Sequence, residues 1–403
     1  MAVENFNINI EHEFNQFLQN KTFPDWILKL KTSSFECLKK LPFVSKSMES
    51  WRKIPLSNFD LQKILEPYSI AKPTVQNGSF QSFVELSLLD GENKQTVQNL
   101  LDSILKKNEF NFFVLLNLCF FKNAYYLKIC EAHQKQNIKI SYTFPESNTG
   151  FMPLTIFQID KFISCSITEE IIADTNKEIS FINPFTYIQL DDSSNIKYYS
   201  LEKFNSSAFH IRKIQTEQKK DSSLQLGYFN LGGYRGKTFI ENNMMGEGSF
   251  FELIGTSLPI KREFQDVECQ VNHLASKTTS SLKFKSVLKD KSHHVFTGNL
   301  FIPKESKQVK AAQVNNNLVL HKTARAESMP KLEVFAEDVS CSHGATMGEV
   351  EKDQLFYLCS RGLTENEARY LIVQGFLNEI IDKIDSEGLS GEIWNFLLNK
   401  LNT

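Results

Sequence analysis

Near the N-terminus apolar residues recur at helical spacing, Phe14, Phe17 and Leu18 and then Trp26, Ile27 and Leu30, as one face of a 3.6-residue period requires. The pattern predicts a small helical unit from Phe14 to about Leu65, broken into pieces by Pro42 and Pro55. In Phe23-Pro24-Asp25-Trp26 the proline pre-sets the backbone dihedral and Asp25 sits at the positive end of the helix dipole, so a helix is expected to start there. Another is expected over 95–107, with extended apolar runs on either side of His133.

From about Thr155 the texture changes to short segments of β-branched and aromatic residues separated by Asn, Ser, Asp and Gly. Examples are Ser223 to Phe229, Phe250 to Leu258, Leu282 to Leu288, Val295 to Ile302, Ala312 to Leu320 and Leu332 to Phe335. Gly246-Glu247-Gly248 and Pro303-Lys304-Glu305-Ser306 supply turns. No helix of ordinary length fits this stretch, and no strict repeat is legible. The texture suits either a β-sandwich or a stacked β-helix.

After Gly348 helical spacing returns. A helix over Asp353 to Ser360 is expected to end at Arg361-Gly362, where glycine takes the left-handed cap. Thr364-Glu365-Asn366-Glu367 is a capping box opening a helix with Leu371, Ile372, Phe376, Ile380 and Ile381 on one face. A last helix runs from about Gly391 through Trp394, Phe396 and Leu397.

Composition narrows the function classes. Hydrophobic residues at 41% and charged residues at 23% are ordinary globular usage. A net charge of −2 gives no global field towards nucleic acid or an anionic membrane. The N-terminus has neither the basic nor the apolar region of a secretory signal, so a cytoplasmic chain is expected. The most apolar run, Phe110 to Phe121, is too short to span a bilayer and reads as a buried strand or short core helix. Cys37, Cys119, Cys130, Cys165, Cys269, Cys341 and Cys359 contain no CxxC pair. That spacing fits reduced thiols and argues against a self-contained zinc or cluster site.

Several motifs fail on spacing. Gly236-Lys237-Thr238 resembles the end of a phosphate-binding loop, but Leu231 stands where the first glycine is needed, and a turn between strands is expected instead. His12-Glu13 begins a zinc-protease motif whose second histidine position holds Gln16. His293 and His294, adjacent on a strand, point to opposite faces and share no metal. No GxSxG elbow is present, and Glu333, Glu337 and Asp338 read as solvent-facing carboxylates.

Cys341-Ser342-His343 differs in kind, because on an extended backbone Cys341 and His343 project to the same side. A thiolate and an imidazole so placed would meet one soft metal, as half a tetrahedral site that a partner must complete. The alternative is a buried cysteine beside a hydrogen-bonded histidine.

In order and spacing, Val295-Phe296-Thr297-Gly298-Asn299-Leu300, Gln313 to Leu320, Pro330 to Val339, Cys341 to Thr346, Leu355 to Leu358 and Ser360-Arg361-Gly362 resemble the SufB/SufD family of iron–sulfur cluster assembly proteins. The resemblance covers roughly 268–381, with weaker support from Glu49-Ser50-Trp51-Arg52, which looks like the family's N-terminal helical motif. SufB-type chains carry a cysteine just after the glutamine matching Gln313. Val314 stands there in this chain, and Asn315-Asn316-Asn317-Leu318 looks like the SufD version, although the family commonly has a basic residue at the position of Asn316.

The resemblance implies a mainly β fold with helical ends, a central right-handed parallel β-helix between N-terminal and C-terminal helical domains. The boundaries are drawn at 1–95, 96–346 and 347–403. It implies a non-catalytic scaffold in a complex with a SufB-like subunit and a SufC-like ATPase, with no cofactor bound stably. Iron or an iron–sulfur cluster would be held transiently at the SufB interface. His343 and Cys341 are then the candidate interface ligands, and Phe356, Tyr357 and Arg361 the candidate SufC-facing residues. The competing reading of that trio is that Phe356 and Tyr357 are core and Arg361 caps a helix. Two other assignments stay open: a homodimeric assembly protein that binds iron or sulfur alone, and a β-helix enzyme acting on glycans.

Overall fold

The computed structural model describes residues 2–19, 23–54, 73–76, 83–143, 150–173, 181–204 and 207–402. The expected break at Pro55, and the helical stretch from there to Leu65, lie outside the described residues. Helices α1 (Ala2–Gln19) and α2 (Asp25–Leu38) open the chain, and α2 starts after Pro24 as its sequence requires. Glu49–Trp51 forms a single 3-10 turn. Further on, α3 (Gly91–Lys107) contains position 96, and α4 (Phe112–Phe120) is the apolar run, buried at every residue. Asn111 caps α4 by accepting the Val114 N–H at 3.2 Å. At its other end the buried Lys31 ammonium donates to Cys119 O and Phe121 O at 3.1 and 2.7 Å, a cation on the negative end of the helix.

Among the described residues the remainder up to residue 349 is mainly strand. They are β1 (Thr74–Gln76), β2 (Phe83–Glu85), β3 (Ala124–Ile129), β4 (Asn137–Thr143), β5 (Gly150–Phe151), β6 (Leu154–Ile159), β7 (Ser164–Ala173), β8 (Phe181–Ile182), β9 (Phe185–Leu190) and β10 (Asn195–Phe204). After these come β11 (Phe209–Gln218), β12 (Ser223–Asn230), β13 (Arg235–Met244), β14 (Phe250–Ser257), β15 (Phe264–His273), β16 (Thr279–Leu288), β17 (His293–Ile302), β18 (Val309–Val319), β19 (Arg325–Val334) and β20 (Val339–Glu349). A 9-stranded sheet runs β1-β4-β7-β10-β12-β14-β16-β18-β20 and faces an 11-stranded sheet whose path ends at β17-β19. Except for β1 with β4 and β2 with β3, neighbours are parallel.

The result is a parallel β-solenoid of about 7 turns. Ser223 pairs with Phe250, Phe250 with Thr279, Thr279 with Lys310 and Lys310 with Ser340. Each coil therefore takes about 30 residues, within the range of solenoid repeats.

One corner recurs. Just before seven strands of the 9-stranded sheet, β4 to β18, stands a residue with positive φ: Lys135, Phe162, Ser193, Asp221, Gly248, Lys277 and Gln308. Its N–H donates to a carbonyl of the next coil, as in Ser193 to Lys220, Asp221 to Glu247, Lys277 to Lys307 and Gln308 to Asp338. This left-handed conformation costs a side chain about 1–2 kcal/mol, offset here by satisfying an amide that the turn would otherwise strand.

Three apolar clusters organise the molecule. The first fills the solenoid, through residues such as Leu226, Phe251, Leu253, Phe284 and Leu300. The second joins α1 to α4 to the outer face of the 11-stranded sheet. The third joins the C-terminal helices α6 (Glu365–Ile381) and α7 (Glu387–Leu401) to the outer face of the 9-stranded sheet. Lysines on that face meet carboxylates of the helices, Lys203 with Glu392, Lys283 and Lys285 with Glu379, and Lys400 with Glu263 on the strand side.

The capping box at Thr364 is formed in both directions. The buried stripe of α6, however, is Ala368, Val373, Leu377, Ile380 and Ile381, with Leu371 exposed. Leu371 turns instead towards a groove beside α5 (Lys352–Ser360). Gly236-Lys237-Thr238 lies inside β13 and not in a turn. There Lys237 is buried and paired with Asp266 and Glu268 at 2.9 and 3.1 Å, which occupies the ammonium a phosphate would need.

Inside the solenoid lies an ion cluster that no sequence motif marks. Arg212 of β11, fully buried, donates to Glu169 of β7, to Tyr198 Oη at 3.0 Å and to Thr186 Oγ1 at 3.2 Å, and its Nε lies 3.3 Å from Glu202 of β10. Tyr228 and Asn230 donate to the far side of Glu202. Burial acts to raise the Glu169 carboxyl, but Arg212 and the hydroxyls around it outweigh burial and hold it below the usual range. For Glu202 burial wins over Arg212 and pushes the carboxyl up to about 7. Burial, with Arg212 adding to it, lowers His210 to about 3.

Candidate functional site

The solenoid ends without a cap on its last coil. Beyond β20 in one sheet and β19 in the other no further strand follows among the described residues, so both edges are open. In the register of the 9-stranded sheet Phe250, Thr279 and Lys310 direct their amides back to the preceding coil. Ser340 is aligned with Lys310, so even-numbered residues of β20 bond β18 and odd-numbered ones turn N–H and C=O to the free edge. The edge-facing set is thus Cys341, His343, Ala345 and Met347.

These residues also point their side chains inward. Cys341 aligns with the buried Ala311 and packs against the end of the interior core, whereas His343, aligned with Gln313, is exposed. Burial raises the Cys341 thiol above its ordinary range, so a metal there would have to displace its proton. The structure therefore brings Cys341 and His343 to one side of one strand, with His343 at the mouth and Cys341 deeper.

Beneath them the lining turns polar. Gln313 and Asn315 of β18 face inward and buried where the preceding coil presents Leu282 and Phe284, and Asn317, also buried, follows Ser286. Asn315 donates to Phe284 O at 3.1 Å and Asn317 donates to Asn315 Oδ1 at 2.8 Å. Gly298 lies opposite, and a Cβ there would stand 2.1 Å from Gln313 Oε1, so any larger residue would make the Gln313 amide shift. Val314, the position of the SufB-type cysteine, alternates to the outer face and is not brought to Cys341 and His343. Around the open end Phe335 and Met347 are exposed, and Leu332 and Val334 partly so. Pro330, at the centre of β19, has no N–H to offer a neighbouring strand, so the edge of β20 is continuous and that of β19 interrupted.

Phe356, Tyr357 and Arg361 lie elsewhere, on and just after α5, which has no buried residue. Phe356 is 75% and Tyr357 55% exposed, so neither is core. Arg361 follows the helix as its C-cap, with its guanidinium 5.2 Å from the Tyr357 ring. Beside them Leu318, Val350, Tyr357, Leu371, Ile372 and Phe376 line an open groove of about 540 Å³. Of the motifs set aside on spacing, His12 is exposed and bonded to Gln16, and His293 and His294 face opposite sides. Among the described residues no group of three or more His, Cys, Asp or Glu is arranged to hold a metal, and no helix is long and apolar enough to cross a membrane.

Residues 142–376 match the family model described as SUF system FeS cluster assembly, SufBD core domain, which is more than half of the chain. The chain belongs to the SufBD family. The match begins well upstream of the stretch in which individual residues carry the likeness, and it takes in most of the solenoid. The chain is 30% identical over 215 residues to an iron–sulfur cluster assembly SufBD family protein of Synechocystis, covering 53% of this chain and 47% of that one. It is 28% identical over 206 residues to the iron–sulfur cluster assembly protein SufD of Escherichia coli, covering 51% and 49%. With SufD of Bacillus subtilis the figures are 22% over 269 residues, 66% and 61%. The chain spans about half the length of the first two of these curated relatives. Within the SufBD family it is most like SufD.

Proposed function

We propose that this SufBD-family chain is a SufD-type scaffold subunit that joins its open solenoid end to a SufB-type subunit and there supports assembly of a nascent iron–sulfur cluster. The observation that carries the reading is the uncapped β20 edge, with His343 exposed beside it and Cys341 behind. An unpaired strand of eleven residues is a template for another strand. The exposed apolar residues around it favour a protein partner over solvent. Two potential ligands at such a seam are half a site, and the SufB-type subunit supplies the rest. Iron and sulfide are cargo in this reading, held at His343 while the cluster forms and then passed on.

The C-terminal groove supports a second contact. Exposed Phe356 and Tyr357 with Arg361 have the aromatic and guanidinium composition of interface hot spots, and they offer a docking surface for a SufC-type ATPase. ATP hydrolysis belongs to that partner, and ATP-driven movement reaches the seam through α6, which is fastened to β16 by Lys283, Lys285 and Glu379.

Co-expression with the matching SufB-type and SufC-type subunits tests the whole. A stable complex is expected, and a persistent homodimer that ignores the SufB-type chain would overturn the reading. His343→Ala should leave that complex intact and lower reconstituted cluster yield by at least about tenfold, read from the visible absorbance of the cluster. Unchanged yield would reduce His343 to a surface residue. Phe356→Asp should weaken capture of the ATPase by roughly 30-fold, about 2 kcal/mol, without moving the melting temperature, because the side chain supports nothing in the free chain. Isothermal titration of the purified subunits measures it.

A further inference from the structure

At the first corner of the solenoid, far along the chain from the open end, a cysteine and a histidine face each other. Cys130 and His133 flank the 3-10 turn Glu131–His133 between β3 and β4, and Sγ of Cys130 lies 3.6 Å from Nδ1 of His133. The backbone N–H of Cys130 donates to the same Nδ1 at 3.2 Å, which fixes that nitrogen as the acceptor of the ring. The backbone N–H of His133 donates to the Cys130 carbonyl at 2.8 Å and is shared with the sulfur. The thiol therefore has a base for its proton and an N–H donor for the charge left behind. His133 is buried and so held in place, while Cys130 is part-exposed and open to attack.

The other cysteines lack this arrangement. Cys119, Cys165 and Cys269 are buried, and burial pushes their thiols up. Cys341 is half-buried with its thiol raised as well. Cys37 and Cys359 are part-exposed, and among the described residues neither is hydrogen-bonded to an imidazole.

We propose that Cys130, with His133 as its base, is a thiol-exchange site that takes up small-molecule disulfides. The Cys130 proton passes to Nδ1 of His133 as the sulfur attacks one sulfur of R–S–S–R. A Cys130–S–S–R bond forms, the R–S–S–R bond breaks, and the leaving thiolate takes the proton from the imidazolium. No electron acceptor beyond the disulfide is needed. Other charges near the turn are Glu131 within it, Lys135 just after it, and Asp160, paired with Lys128, and Lys161 on the corner of the next coil, where β6 continues beside β3.

The test treats the full chain with 5,5′-dithiobis(2-nitrobenzoate) and with oxidised glutathione, follows thiolate release, and maps the modified peptide by mass spectrometry. A fast phase of one thiol per chain is expected on the Cys130 peptide, absent in Cys130→Ser. Its rate in the unaltered chain should fall less than about threefold from pH 8 to pH 7, against roughly eightfold for an ordinary thiol, since the proton has an internal acceptor. In His133→Gln the rate should drop at least about tenfold at pH 7, within the range of general-base effects, and converge with the parent near pH 9.5. Modification of Cys37 or Cys359 ahead of Cys130, or a fall of roughly eightfold from pH 8 to pH 7 in the unaltered chain, would overturn the proposal. The second measurement needs no variant and holds even if His133→Gln fails to fold.

Discussion

Arg212→Ala should destabilise the folded chain by about 3–5 kcal/mol, the cost of leaving buried charge without its partner. The substitution strips the cation from between Glu169 and Glu202, both inside the solenoid, and abandons the hydroxyl of Tyr198 as well. Two carboxyls would then face each other across a cavity, and at least one must take up a proton to remain there. The loss should appear as a lower urea midpoint by circular dichroism. Arg212→Met combined with Glu169→Gln should recover part of it, since removing both charges is far cheaper than removing one. Equal midpoints for parent and Arg212→Ala would mean that the cluster contributes nothing to the stability of the solenoid.

Ala345→Pro should abolish pairing with a SufB-type subunit while the free chain stays folded. The Ala345 amide faces the open edge of β20, so proline removes no bond within the chain, yet it puts its ring where a partner strand must lie. Affinity should fall on the order of 100-fold or more, the effect of blocking a strand edge at its centre. Gly344→Pro is the control with opposite sign. Its amide belongs to the ladder with β18, so this change should loosen the last coil in the free chain. Surface plasmon resonance against the immobilised partner and a thermal melt of each free variant separate the cases. If Ala345→Pro binds as the parent does, the seam does not run along β20.

The helical ends were legible because their signals are local. Pro24 and the Thr364 capping box act within one turn of themselves. The apolar run at 112–120 was not decidable between strand and helix, because a segment buried on every side has no polar face to show a period. Strand boundaries read too short at Leu282 and Ala312, where Thr279, Ser280 and Val309 extend the ladder with small or lone residues. The coil repeat stayed hidden for a conformational reason: its mark is a backbone torsion carried in turn by Lys, Phe, Ser, Asp, Gly, Lys and Gln. The Arg212 cluster gathers residues from separate coils and has no linear signature. Cys341 and His343 could be placed on one side of a strand from spacing alone, but nothing in the spacing reveals that the strand is the last one. That fact is topological, and it turns two ordinary residues into a candidate site.

The left-handed corners all give their amides in the same direction, towards the C-terminus. From Lys135 to Gln308 each takes its acceptor from the coil that follows it in the chain. A coil is therefore complete only when its successor is in place, and the stack grows like a polymer with a polarity, one end finished and the other still living. Residue 349 is where this chain stops adding its own monomers. The subunit proposed to dock there stands, in chemical terms, as the next repeat supplied by another gene product.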